Sequence, residues 1–224
     1  MNLYFCTMKK AAIIGSSGLV GKHLVTELIK EESIDELRLF VRTPSKVAFS
    51  DNTTVCVTDF SDIEEWSTDW SFDVLFCCIG TTRKKTPNLS EYKAIDYGIT
   101  KRVAEWAKKS GCKEVHLISS VAADAQSKNF YLKIKGETEQ ALTTMGFTSL
   151  QIYRPGMLIG SRIERRFAEN IGQKLSPIFD IFTFGGQYHS IKAQKLAKSM
   201  CSNMKKEKNG VAILTYKDFK RLLH

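Results

Sequence analysis

The chain has 224 residues, enough for one α/β domain with a sizeable core and few for two. With 43% hydrophobic and 25% charged residues it reads as an ordinary globular protein, and no run of about eighteen apolar residues marks a membrane span. The net charge of +9 comes from scattered basic residues, not from a stripe with interleaved aromatics, so phosphate-bearing small ligands are expected ahead of nucleic acid.

Residues 1–7 lack the basic and apolar regions of a signal peptide and are expected to be an extension ahead of one domain over 8–224. Ala11–Ile14 is an apolar run that leads into a glycine-rich turn. Apolar residues then recur at Leu19, Val20, Leu24, Val25 and Leu28, a helical spacing that reaches about Glu31. Leu37–Val41 and Val55–Val57 read as strands, and Val74–Ile79 as a strand covered on both faces. Ser90 is placed to cap a long helix reaching about Ser110, with Gly111 at its carboxyl end. Val115–Ile118 is a strand, Phe130–Met145 a helix stopped by Gly146, and Ser149–Tyr153 a strand closed by Arg154-Pro155-Gly156. Residues 157–190 are irregular and aromatic-rich. Ala193–Met204 is a helix, Val211–Leu214 a last strand and Tyr216–Leu223 a terminal helix. Strands alternating with helices in this way predict a doubly wound parallel α/β sheet, the Rossmann architecture.

The six cysteines, Cys6, Cys56, Cys77, Cys78, Cys112 and Cys201, form no C-x-x-C pair. They are expected to be reduced, mostly buried thiols of a cytoplasmic protein. No spacing of histidines and carboxylates calls for a metal, and His116 and His189 are expected to be structural.

The first strand runs into Gly15-Ser16-Ser17-Gly18-Leu19-Val20-Gly21, a G-x-x-G-x-x-G loop. Gly15 permits the tight turn, Gly18 lets the backbone approach a pyrophosphate, and Gly21 lets helix pack on strand. The helix start then offers free N–H groups and the positive end of a dipole. Strand, loop, helix and strand follow in the order a dinucleotide site requires. Where an NAD site ends its second strand with an acidic residue, this chain has Arg42, with Lys46 four positions on. A guanidinium there matches a 2′-phosphate, so NADP(H) is favoured over NAD(H). Asp59-Phe60, after the third strand, is placed for the adenine.

Tyr131-Leu-Lys-Ile-Lys135 puts a tyrosine and a lysine on one helical face, and Ser120 ends the strand eleven residues upstream of Tyr131. With these, Cys112–Ser120, Asn129-Phe-Tyr131-x-x-x-Lys135-Gly136-Glu137 and Tyr153-Arg-Pro-Gly-Met-Leu-Ile159 resemble an atypical short-chain dehydrogenase/reductase of the Tat-interacting-protein branch, from about Lys9 onward.

The resemblance implies that Tyr131 exchanges a proton with the substrate oxygen, that Lys135 favours the phenolate and holds the nicotinamide ribose, and that Ser120 hydrogen-bonds the carbonyl. A free tyrosine, near pKa 10, is a poor base at neutral pH, which explains the need for an adjacent ammonium. The resemblance also brings Cys78-Ile79-Gly80-Thr81, Ser119 and Arg154-Pro155-Gly156-Met157 to the cofactor. One departure stands out: typical members carry an asparagine on the long helix where this chain has Asp96.

Residues from about Met157 to His189 would cover a small-molecule substrate, with Arg162, Arg165 and Arg166 available to an acidic group and the apolar stretch 178–184 to a lid or partner. The function expected is an NADP(H)-dependent oxidoreductase acting on a small carbonyl or alcohol. The alternative is a dinucleotide-binding regulator with weak or no catalysis that switches a protein partner; a protein partner or a homo-oligomer is compatible with either reading. A sugar-nucleotide epimerase would want more than the roughly 70 residues that follow the sixth strand.

Overall fold

The computed structural model describes residues 8–44, 50–160 and 189–224. The extension 1–7, Lys46, the arginines Arg162, Arg165 and Arg166 and the apolar stretch 178–184 lie outside them.

The two most uniformly apolar runs form the middle of the sheet. Strand β1 (Lys9–Ile14) pairs in parallel with β4 (Val74–Cys77), with Ala11 opposite Val74 and Ile14 opposite Cys77. All of β4 is buried, as a strand covered on both faces requires. Beyond β1 lie β2 (Ile34–Val41) and β3 (Thr53–Val57). Beyond β4 lie β5 (Glu114–Ile118), β6 (Ser149–Tyr153) and β9 (Gly210–Leu214). The seven strands are parallel in the order β3-β2-β1-β4-β5-β6-β9. The chain winds outward in one direction from β1 and then restarts at β4 in the other. That reversal opens a crevice at the carboxyl ends of β1 and β4.

Each face is covered by helices whose apolar stripes meet the strands. On one side α1 (Gly21–Ile29), α5 (Ala193–Met204) and α6 (Tyr216–Arg221) pack Leu24, Leu28, Leu196, Met200 and Phe219 into one cluster with Ile13 and Phe76. On the other, α3 (Thr100–Lys109) and α4 (Phe130–Thr144) pack Val103, Ala107 and Leu142 onto Leu75, Leu117 and Ile152. The chain's three tryptophans extend this second layer over β2, Trp66 stacking on Phe40 at 4.8 Å.

The expected long helix is three segments: α2 (Leu89–Lys93), a π turn (Ala94–Ile99) and α3. Its cap is Asn88, not Ser90. The Asn88 carboxamide oxygen accepts from the N–H groups of Ser90 at 2.8 Å and Glu91 at 3.1 Å, which puts Ser90 inside the first turn. The span expected to be irregular holds a short strand near its start, β7 (Leu158–Ile159), which pairs in parallel with β8 (Ile191–Lys192) just beyond its end. Cys77, Cys112 and Cys201 are buried free thiols, and burial pushes Cys112 and Cys201 up to about 12, which leaves them unreactive.

Candidate active site

The glycine loop closes the crevice floor. Gly15 has φ +80°, and a Cβ there would lie 2.5 Å from the carbonyl carbon of Cys78. Only glycine fits both demands. A Cβ on Gly18 would meet the Gly15 oxygen at 3.1 Å, and one on Gly21 at 2.1 Å. Gly21 is therefore fixed by the loop's own carbonyl, not by the helix-on-strand packing expected for it. Leu19 and Val20 turn into the core and Ser16 is buried, while Ser17 stays exposed. Within the loop, Gly18 donates to Gly15 at 3.0 Å and Lys22 donates to Gly18 at 3.2 Å. Among the described residues nothing accepts from the N–H groups of Ser16, Ser17 or Leu19. Open backbone donors at the start of a helix, in a loop drawn tight at its three glycines, fit a pyrophosphate.

Around the crevice the sequence-derived residues separate. Arg42 is exposed at the end of β2 and has no carboxylate partner among the described residues. The Asp59 carboxylate accepts from the N–H of Ser61 at 2.8 Å and from its hydroxyl at 2.6 Å, so it also closes its own turn. Phe60 departs from expectation. It is buried with φ +66°, its ring lies 6.0 Å from Trp66, and its carbonyl accepts from Arg102 at 2.8 Å. Its aromatic face belongs to the core. Opposite, Cys78 donates to the Ile14 carbonyl at 2.9 Å and Ile79 packs inward, leaving Gly80 and Thr81 on the crevice side.

The expected catalytic face is built on α4. Asn129 caps it, accepting from the N–H groups of Tyr131 at 3.0 Å and Leu132 at 3.2 Å. Tyr131 is 38% exposed and Lys135, one turn on, is 7% exposed. A Cβ on Gly136 would lie 2.1 Å from the Ala125 nitrogen, so the turn after β5 lies flush against α4. That turn carries Ser120 and holds Ala122 at φ +59°, a strained position beside the site. Ser120 is half-buried, whereas the Ser119 hydroxyl donates to Glu139 in a short bond. Among the described residues, no side-chain hydrogen bond engages the Ser120 hydroxyl.

Sequence reasoning missed Glu139. It is buried, and it also accepts from Arg154 Nε at 2.9 Å and Nη2 at 2.5 Å. The side chains of Ser119 and Arg154, both expected at the cofactor, are therefore committed to α4. This tie holds the turn Arg154-Pro155-Gly156-Met157, where Pro155 accepts from Val121 at 3.0 Å and Met157 from Ile191 at 2.9 Å. The signal was present as the i+4 continuation of Tyr131 and Lys135.

Asp96, from the π turn, is 2% exposed. Its Oδ1 accepts from the Thr81 N–H at 2.7 Å, and its Oδ2 lies 3.2 Å from the Lys135 ammonium. Burial works against charge on Lys135, but Asp96, Tyr131 and Glu139 outweigh it and hold the ammonium above its ordinary pKa.

The switch-point crevice, the glycine cradle and this polar face define a Rossmann dinucleotide-binding protein. Residues 15–173 match the family described as NAD(P)H-binding, and the chain belongs to it. Among its relatives, Protein HTATIP2 of Rattus norvegicus is 34% identical over 171 residues, covering 74% of this chain and 69% of the relative. Protein FMP52, mitochondrial, of Candida albicans is 33% identical over 178 residues, covering 77% of this chain and 76% of the relative. Among solved structures, the Bordetella bronchiseptica enzyme WbmH in complex with NAD+ superposes with a TM-score of 0.70 at 15% identity, covering 93% of this chain and 76% of that one. The FMP52 relatives are named as mitochondrial proteins, which overturns the expectation of a cytoplasmic location. Among the described residues no helix is long and apolar enough to cross a membrane, and no cluster of three or more side chains suits a metal ion.

Proposed function

We propose that the chain is an NADP(H)-dependent oxidoreductase of the short-chain dehydrogenase type, acting on a small carbonyl compound or its alcohol. The observation that carries this reading is half-exposed Tyr131 and the buried Lys135 ammonium one turn apart on α4, at the carboxyl edge of the sheet. The nicotinamide supplies or accepts a hydride when bound. The Tyr131 hydroxyl gives a proton to the substrate oxygen or takes one from it. The Lys135 ammonium would place a positive charge one turn from Tyr131, and its remaining N–H donors would hold the ribose hydroxyls. The Ser120 hydroxyl hydrogen-bonds and orients the carbonyl. Ser119, Glu139 and Arg154 keep the surrounding turns in place.

Preference for the phosphorylated dinucleotide rests on Arg42, an exposed guanidinium with no carboxylate partner among the described residues. Fluorescence titration with NADPH and with NADH tests it. Wild type should bind NADPH more tightly, and Arg42→Asp should weaken NADPH by about tenfold or more and narrow the difference, as loss of a charge-assisted contact does. An unchanged ratio would remove Arg42 from cofactor selection. Binding of neither dinucleotide would remove the oxidoreductase reading altogether.

A further inference from the structure

Lys135 is a buried cation, and an ammonium without a counter-ion loses its proton when taken out of water. Three groups favour its charge, and of these Asp96 is in contact with it, at 3.2 Å. Tyr131 and Glu139 come from α4 itself, and Asp96 comes from the π turn. Glu139 is already spent, with one oxygen taken by Ser119 and Arg154 Nε and the other by Arg154 Nη2. Asp96 is divided differently. Its Oδ1 holds the Thr81 N–H, while its buried Oδ2 has, among the described residues, no partner but the Lys135 ammonium at 3.2 Å.

The other charges nearby do not compete for this role. Tyr92, on α2, donates to the Thr81 carbonyl at 3.1 Å, and Arg83 stands 5.9 Å above the Phe130 ring. Lys93 is paired with Glu137 at 2.7 Å. The π turn supplies the geometry, because its wider coil turns Asp96 fully inward. A Cβ on Gly80 would lie 3.9 Å from both Asp96 Oδ2 and Lys135 Nζ, so the bare glycine borders the pair on the crevice side.

We propose that Asp96 is a positioning residue for this site. One carboxylate oxygen is the dedicated counter-ion that keeps Lys135 charged and aimed past Gly80, and the other anchors the loop that carries Gly80 and Thr81. An ammonium has three donors, so two remain for ribose hydroxyls after Asp96 takes one. Where it concerns the cofactor, this inference rests on the oxidoreductase reading above.

Asp96→Asn keeps an acceptor for Thr81 and removes the charge. Lysine ¹³Cε resonances read protonation directly, the Lys135 signal being assigned by its loss in Lys135→Met. In wild type Lys135 should stay protonated beyond 10.5, the ordinary value for lysine. In Asp96→Asn its midpoint should fall by about one pH unit or more, because burial then lacks its main opponent. NADPH titrations at about pH 7 and about pH 9.5 give the second readout, and only the variant should bind more weakly at the higher pH, by about twofold or more, since at least about half of its Lys135 would then have lost its charge.

Equal Lys135 midpoints in the two proteins would overturn the proposal. So would an affinity loss of equal size at both pH values, which is what a purely structural contact gives. If Asp96→Asn does not fold, the wild-type resonance decides, and a midpoint below that of exposed lysines refutes the pair. If wild type binds no NADPH, the oxidoreductase reading and the cofactor half of this inference fall together, while the resonance still decides the ion pair.

Discussion

A hydroxyl with no structural hydrogen bond can be deleted without disturbing the fold. Among the described residues no side-chain hydrogen bond uses the Tyr131 hydroxyl; the Asn129 cap engages its backbone N–H instead. Tyr131→Phe should therefore leave NADPH affinity within about twofold of wild type and lower turnover by about 10²- to 10⁴-fold, the usual range for losing a general acid–base group. Turnover at the wild-type level would take Tyr131 out of the chemistry. Tyr131, Lys135 and Ser120 were legible because their spacing along one helix and one strand end is written in the chain. Glu139 was not, because its importance comes from Ser119 and Arg154, which meet it only after β5, β6 and α4 pack together. Asp96 was visible only as an unexpected residue type. Its pairing with Lys135 depends on a π turn that periodicity does not reveal.

At the scale of the element, α4 begins where the site begins. Asn129 satisfies two of its first N–H groups, one of them belonging to Tyr131. Asn129→Ala should lower the unfolding free energy by about 1 kcal/mol, and Asn129→Asp should retain most of it. Urea denaturation of the three proteins checks this, and a loss of less than about 0.3 kcal/mol would mean that water replaces the cap. Caps and apolar periods also explain which elements could be read in advance. Ser149–Tyr153 and Ala193–Met204 have the bounds their patterns predict. Asn88 was overlooked because Ser90 is an equally good capping residue two positions on. The strands β7 and β8 have two residues each, too short for any period to register, and they pair only because distant parts of the chain meet.

At the scale of the whole molecule, a buried polar network ties β5 and β6 to α5. His116, fully buried, bonds Tyr153 Oη through Nδ1 at 2.8 Å and Glu114 through Nε2 at 2.9 Å. Asn203 donates to Tyr153 Oη at 2.8 Å, and Lys9 pairs with Glu114 at 3.0 Å. Burial depresses the His116 pKa below 6.5. Burial alone would raise Glu114, but its contacts with His116 and Lys9 prevail and bring it from 4.5 to about 2. Both folded values lie below the unfolded ones, so the folded chain binds fewer protons in acid and stability is lost as pH falls. The loss should begin below 6.5, as His116 resists protonation, and steepen from 4.5 toward 2, as Glu114 is protonated. Burial lowers Lys208 too, but from 10.5, far above this window, so it adds no slope there. The Glu114 share is on the order of 3 kcal/mol at neutral pH. Denaturant unfolding of wild type and Glu114→Gln across this range checks the assignment. The variant should be less stable by that order at neutral pH and converge on wild type toward about pH 2, where folded Glu114 loses its charge. A stability difference that stays constant over the whole range would mean that acid unfolds this protein through carboxylates elsewhere.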